Sequence, residues 1–465
     1  MTILELFTNY LSFLGTVVTL SGWVKHRRGQ RKRLFVELTD GSCLEHVQVL
    51  FERSDFETHS EIFDSVKERM SLRITGELVK SPAEGQLFEL KAKSYEILGD
   101  VHEDYPIEAK TELTMDYLRG YPSLRGHTET MKAIRRIKSR AFHAISSYYD
   151  HQGFYCVDEP FLTESACEGG CAPLQVTSLL EGKSGNIKVD YTEDFFRKPV
   201  YLTVSAQLHL ECDALALGRV YDWTRAFRGE QSQTSKHVSE FTMLEHEFCF
   251  NTLEENIAMV TGAIKAATVE VLRSCTSDIR HLEEKQRPGL YQSLVAIARD
   301  PFIITSHEEC VRAMLADVES GKACFTKLPG YEDDLASEHE KYIVDILYSG
   351  RPVAVRYFPS TVKSFYMPLM PDGKHVDCFD ILFPRVGEIV GGSQRESDYE
   401  RLMGRVHTLG LDPKPLQFYT DQRKYGTVPH GGMGLGFDRL VMYLSGTDNI
   451  RDVISFPRAF RLCEH

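Results

Sequence analysis

The chain has 465 residues, of which 42% are hydrophobic and 26% charged, with a formal net charge of -13. That composition is ordinary for a globular protein and leaves room for roughly two to three domains. It argues against a general nucleic-acid binder, and no apolar run approaches the roughly 20 residues that span a bilayer.

The first ten residues lack a basic region and a small-residue cleavage site, so no secretory signal is expected and the location reads as cytoplasmic. From about residue 14 to residue 98 the chain reads as five strands: 17–24, 34–39, 46–51, 71–79 and 87–97, with a helix expected over Glu57 to Met70. Five strands with a helix after the third predict an OB-fold barrel, a scaffold that often binds oligonucleotides. Period two puts Leu34, Val36 and Leu38 in the core with Val47 and Val49, and turns Phe35 and Gln48 outward. An outward aromatic beside an amide suits base stacking with edge reading, or else packing under a neighbouring domain. The run Lys25 to Arg33 holds six Lys or Arg in nine positions, Arg27 and Arg28 among them. Alone, such a run reads equally as a solvated face.

A polar connector, Asp100 to Glu112, marks a hinge. A basic amphipathic helix is predicted over Thr128 to Tyr149, then a strand over Phe154 to Pro160. Beyond it strands and helices alternate irregularly, which predicts an α+β domain around an antiparallel sheet. The stretch from Ala226 to Phe241 predicts a hairpin, with Arg228 and Glu230 on alternate strand positions and a polar loop over Gly229 to His237. Residues 275–335 look helical, with no function legible in them. The stretch from His430 to Leu440 predicts a glycine-rich strand leading into a helix over Phe437 to Leu444, with Arg439 in its first turn. Neither a dinucleotide fingerprint nor a P-loop fits it: Phe437 stands where the third glycine would be, and the lysine is absent. An arginine fork matches phosphate and carboxylate oxygens, so two such arginines suggest one polyphosphate held at both ends. The 11 cysteines are scattered, and Cys167 and Cys171 lack a second pair, so free thiols are expected.

These two stretches resemble motifs two and three of the class II aminoacyl-tRNA synthetases. The neighbouring residues narrow the resemblance to the aspartyl/asparaginyl branch, on its asparaginyl side. It implies an OB-fold anticodon domain over 1–100, a linker over 101–125 and a catalytic domain over 126–465. Motifs one, two and three would lie at about 130–160, 219–248 and 430–446. It implies ATP and Mg²⁺ as cofactors. Arg228 would contact the α-phosphate and the amino-acid carboxylate, and Arg439 the γ-phosphate. Glu230, His237 and Phe241 would face the adenine side and the phosphates, while Asp380 and Glu388 would hold the metal. Glu168 and Gln207 would face the α-amino group. Arg27, Arg28, Phe35 and Gln48 would meet the tRNA anticodon, and Pro160 would lie at a homodimer interface.

The branch divides on the side-chain pocket. An aspartyl enzyme would carry a lysine where Leu210 stands, and here Glu211 follows. A glutamate acceptor with the Arg395 donor fits a neutral amide, and a carboxylate would be repelled by Glu211. The implied substrates are L-asparagine and tRNA(Asn), with no membrane partner. The rivals are an aspartyl enzyme, a paralogue making free asparagine, and a non-catalytic RNA binder. The barrel and the intact arginine and acidic pairs count against the last two. Departures from the family pattern are the residues after Glu168, Thr224-Arg225, Gly229, and Lys236 in place of an arginine. They bear on loop dynamics and rate.

Overall fold

A computed structural model describes residues 1–29, 32–56, 61–107, 113–164, 173–179, 190–232 and 234–463. Its contacts gather into two units, Met1–Ala133 and Ile134–His465. Among the described residues no helix is long and apolar enough to cross a membrane.

The first unit opens on a helix that the strand reading passed over, Ile3–Phe13. Its signal was legible. The Thr2 hydroxyl accepts from the Glu5 amide at 3.1 Å and the Glu5 carboxylate accepts from the Thr2 amide, a capping box. Strands β1 (Val17–Gly29), β2 (Arg33–Thr39), β3 (Val47–Glu52), β4 (Ser71–Lys80) and β5 (Phe88–Gly99) close a barrel in the order β1-β2-β3-β5-β4. Leu34, Val36, Leu38, Val47 and Val49 are buried inside it, as the alternation required.

Two boundaries differ from expectation. β1 continues through the basic run to Gly29, past an irregularity between Val24 and His26, which sets Arg28 opposite Phe35. The expected helix shrinks to Ile62–Ser65, after a 3-10 turn at Arg53–Phe56; residues 57–60 lie outside the described set. Ile62, Phe63, Val66 and Met70 do bury, in helix-like spacing. However, the backbone is claimed by β1: Arg69 donates to the Val24 carbonyl at 2.7 Å and Val24 donates to Met70 at 2.8 Å. Arg69 takes φ 73 to make that turn, which no α-helix accommodates.

In the second unit β6 (Tyr155–Cys156), β7 (Leu162–Thr163), β8 (Gln175–Val176) and β9 (Val200–Leu202) come first. They are followed by β10 (Arg219–Phe227), β11 (Glu240–Cys249), β12 (Ile303–Ser306), β13 (Val353–Arg356), β14 (Cys378–Phe383), β15 (Gly387–Gln394) and β16 (His430–Gly436). Eight of them form one sheet, ordered β12-β13-β14-β15-β16-β11-β10-β6. It is antiparallel except at its two edges, where β12 runs parallel to β13 and β6 to β10. The predicted strand Phe154 to Pro160 is only two residues long: it pairs on one side, and Pro160 has no amide to extend the ladder.

The two faces of β11 do different things. His246 points to one face, where its ring meets the Tyr149 hydroxyl and Asn256 Oδ1, each at 2.7 Å. Asn256 in turn donates to the Gly432 carbonyl at 3.0 Å. The helices Glu129–His151 and Leu253–Ser274 are thereby tied to the sheet centre. Burial holds His246 at about 3, below its ordinary 6.5. The unfolded chain therefore takes up a proton that the folded ring refuses. Stability is complete above about pH 6.5 and falls by about 1.4 kcal/mol per unit as pH drops toward 3. Denaturant unfolding should register about 2 kcal/mol of loss between about pH 6.5 and about pH 5. His246→Gln should flatten that slope by one proton; an equal slope in the variant would remove His246 as the cause.

Candidate active site

The other face of the sheet carries a row of in-register cross-strand neighbours: Asp380, Gly391, Gly434, Glu245 and Asp222. Cross-strand partners share a face, so acids flank a floor of bare backbone. One row further along, Glu247 lies across Gly432, where a Cβ would stand 2.2 Å from the carboxyl carbon. The alternating glycines of β16 thus leave room for side chains from β11 to cross above it.

A cleft with about 660 Å³ of free volume opens over this face. Its lining includes Arg228, Glu230 and His237 from the β10–β11 loop, Phe241 from β11, Glu388 from β15 and Arg439 from the helix Phe437–Ser445. Three separated segments therefore bring all six residues expected at ATP into one cavity. Arg228 and Glu230 do not lie on a strand, contrary to expectation. β10 ends at Phe227, a last bond joins Arg228 to the Ser239 carbonyl at 2.9 Å, and the chain then leaves the ladder. The Arg228 guanidinium lies 5.3 Å above the Phe241 ring. Arg439 donates to the Glu388 carbonyl at 2.8 Å, which fixes it against β15. Its neighbour Asp438 is buried, paired with Lys138 and accepting from the Thr242 amide at 2.8 Å, so the helix start is pinned to β11. Burial, helped by Arg439, lowers His237 below its usual range, which leaves the ring neutral near pH 7.

Asp380 and Glu388 converge on Gly391. A Cβ there would stand 3.4 Å from Glu388 Oε1 and 3.5 Å from Asp380 Oδ1. Lys363 donates to Asp380 Oδ2 at 2.6 Å, leaving Oδ1 facing Glu388. Burial pushes Asp380 up to about 7, with Lys363 pulling against it and Glu388 adding to it. Among the described residues no group of three or more His, Cys, Asp or Glu forms a ready-made metal cage. Two carboxylates completed by phosphate oxygens and water is the arrangement Mg²⁺ favours, so this pair fits that ion.

Beside the cleft, Glu211 and Arg395 meet at 3.6 Å, both buried. Glu211 Oε1 accepts from Gln207 Nε2 at 3.0 Å and from the Tyr419 hydroxyl at 3.1 Å. Its Oε2 accepts from Arg423 Nη2 at 2.6 Å and from His430 Nε2 at 3.1 Å. Four donors thus surround this carboxylate and hold it in place. Arg395 forks onto Glu247, with its Nε 3.2 Å from both oxygens. Burial opposes charge on Glu211, but Arg423, His430 and Arg395 outweigh it and hold the group well below the usual carboxylate range. Leu210, at the position that divides the branch, packs with Ala214, Val220 and Cys249 in an apolar cluster. Glu168 lies outside the described residues.

Sequence reasoning missed Glu247, Tyr419, Arg423, Lys363 and Glu340, whose carboxylate accepts from the Glu388 amide at 3.2 Å. Glu247 could have been found, because strand parity places it on the Phe241 face. Arg423, inside Asp421-Gln-Arg-Lys424, reads as a solvated charge run, and nothing in its spacing marks burial.

On the barrel, Arg28, Phe35 and Gln48 come together. The Arg28 guanidinium lies 5.0 Å over the Phe35 ring and donates to Gln48 Oε1 at 2.7 Å. Gln48 donates onward to Glu89 at 3.0 Å. Arg27 pairs with Val36 and falls on the opposite parity, so it does not join that cluster.

Residues 114–459 match the family described as tRNA synthetases class II (D, K and N), and residues 18–98 match an OB-fold nucleic acid binding domain. The fold is thus that of a class II aminoacyl-tRNA synthetase. Asparagine--tRNA ligase from Treponema denticola is 39% identical over 464 residues, covering 97% of each chain. The structure of asparaginyl-tRNA synthetase from Pyrococcus horikoshii, complexed with asparaginyl-adenylate, superposes with a TM-score of 0.83 at 29% identity, covering 97% of each chain. The Entamoeba histolytica asparaginyl-tRNA synthetase, also solved with asparaginyl-adenylate, gives 0.81 at 27% identity, again over 97% of each chain. Within its class the chain belongs to the asparagine--tRNA ligase family.

Proposed function

We infer that this protein joins L-asparagine to tRNA(Asn) in two ATP-driven steps. The asparagine carboxylate attacks the α-phosphorus of ATP; the bond to the β-phosphate bridging oxygen breaks and pyrophosphate leaves, giving asparaginyl-adenylate. The 3'-terminal ribose hydroxyl of the tRNA then attacks the acyl carbon; AMP leaves, and the hydroxyl proton is released. Little covalent work falls to the protein, so positioning and charge neutralisation carry the rate. Arg228 meets the α-phosphate and the substrate carboxylate, and Arg439 the γ-phosphate. Phe241 stacks on adenine with Glu230 beside it, and His237 faces the phosphates as a hydrogen-bonding group. Asp380 and Glu388 would hold Mg²⁺, which when bound offsets phosphate charge. Glu168 and Gln207 receive the α-amino group, and Glu211 and Arg395 read the side-chain amide. A cytoplasmic homodimer, with Pro160 at the subunit interface, completes the proposal.

One observation carries the amide reading. Gln207 already presents a carboxamide NH₂ to Glu211 Oε1, the group that asparagine would bring. The buried Leu210 supports an amide over a carboxylate, since it supplies no cation for one. The test is ATP–pyrophosphate exchange with each amino acid separately: exchange with asparagine alone is expected, and exchange with aspartate at a similar rate would overturn the reading.

Phe35, Arg28 and Gln48 support an anticodon face on the barrel. Stacking one base on an aromatic is worth about 1–3 kcal/mol, so Phe35→Ala should weaken tRNA charging roughly ten- to a hundred-fold. Adenylate formation should not change. Equal loss in both steps, measured on one preparation, would mean that Phe35 supports the fold instead.

A further inference from the structure

Arg423 is buried, lies within the short turn Asp421–Lys424, and belongs to none of the three synthetase motifs. Four of its five N–H groups make hydrogen bonds that serve one task. Nε donates to the Glu396 carbonyl at 3.0 Å and Nη1 to the Tyr419 carbonyl at 3.3 Å, so the backbone fixes the fork. Nη2 then reaches Glu211 at 2.6 Å and the Tyr419 hydroxyl at 2.7 Å. The guanidinium also stacks 4.1 Å from the Tyr419 ring. Tyr419 in turn donates to the other oxygen of Glu211, so arginine and tyrosine grip both ends of the carboxylate.

We infer that Arg423 is a positioning residue for substrate specificity, fixing Glu211 as an acceptor-only group so that an amide side chain is accepted and a carboxylate refused. The inference rests on the reading that Glu211 faces the substrate side chain. A carboxylate discriminates amide from acid only while it stays ionised and still. A protonated Glu211 would donate a hydrogen bond, and a substrate carboxylate could accept it. The groups facing Glu211 are Gln207 from its own helix, Tyr419 and Arg423 from residues 417–424, His430 from β16 and Arg395 from the end of β15, with Glu247 of β11 behind Arg395. Arg395 is engaged by Glu247, and His430 gives its other nitrogen to the Val428 carbonyl at 2.8 Å. Arg423 makes the shortest of the four contacts and carries a permanent charge. Its loss raises the pH at which Glu211 takes up a proton, because burial is then opposed by fewer cations.

The experiment is pyrophosphate exchange by the full-length protein with asparagine and with aspartate, at about pH 6 and about pH 8, on Arg423→Met, Arg423→Lys and Tyr419→Phe. A hydrogen bond to a charged group is worth about 1.5–3 kcal/mol, so Arg423→Met should raise KM for asparagine roughly ten- to a hundred-fold, with kcat changed much less. The aspartate-to-asparagine ratio of kcat/KM should rise about tenfold or more, and more at about pH 6 than at about pH 8. Arg423→Lys should recover part of the preference. Tyr419→Phe, which keeps the ring packing, should shift the ratio the same way by less, and it serves if Arg423→Met does not fold. A wild-type ratio at both pH values in the folded variants, whatever the loss of rate, would overturn the inference. If wild-type protein fails to activate asparagine at all, the substrate reading beneath it fails instead.

Discussion

Replacing Arg228 or Arg439 by alanine lowers asparagine-dependent pyrophosphate exchange by about two orders of magnitude or more, the cost of one charge-assisted donor at a site of developing charge. The two arginines reach the cleft from different elements: Arg228 from the loop after β10 and Arg439 from the helix after β16. Both side chains line the cleft. The structural load at the helix start falls on Asp438, through Lys138 and the Thr242 amide. Thermal unfolding of both variants should therefore stay close to wild type while activity collapses. Near wild-type exchange in either variant would mean that the triphosphate is not held there.

Glu211→Gln should damage stability and selectivity together. The substitution keeps the shape but removes the charge on which Arg423, His430 and Arg395 converge, deep in the protein. Breaking a buried ion pair by removing one partner costs about 3–5 kcal/mol, because the cations left behind are uncompensated. Denaturant unfolding should show a loss of that order. The glutamine NH₂ also faces donors where an acceptor is needed, so asparagine activation should fall, and the preference over aspartate should narrow as the repelling charge disappears. An unchanged selectivity ratio would remove Glu211 from the pocket.

What could be read from sequence follows from what each signal measures. Period two in Leu34, Val36 and Leu38 reports which side of a strand is buried, so the barrel core and the outward Phe35 were legible. The helix expected over Glu57 to Met70 was not, because its apolar spacing is real but the hydrogen bonds of Arg69 and Met70 go to Val24, a partner distant in sequence. The six residues expected at ATP could be named singly from their motifs. Their convergence is a property of strand order: β16 comes to lie between β11 and β15 only through the sheet topology. The grip on Glu211 was illegible for the same reason: Arg423, Tyr419 and His430 lie more than two hundred residues away, in segments whose own patterns look exposed or merely glycine-rich.

The most direct measurement is transfer of labelled asparagine or aspartate to total tRNA by the purified protein, with and without ATP. ATP-dependent formation of an acid-precipitable, base-labile asparagine ester, with aspartate left free, is the predicted result. Aspartate charged as readily as asparagine, or no ester from either, would contradict it.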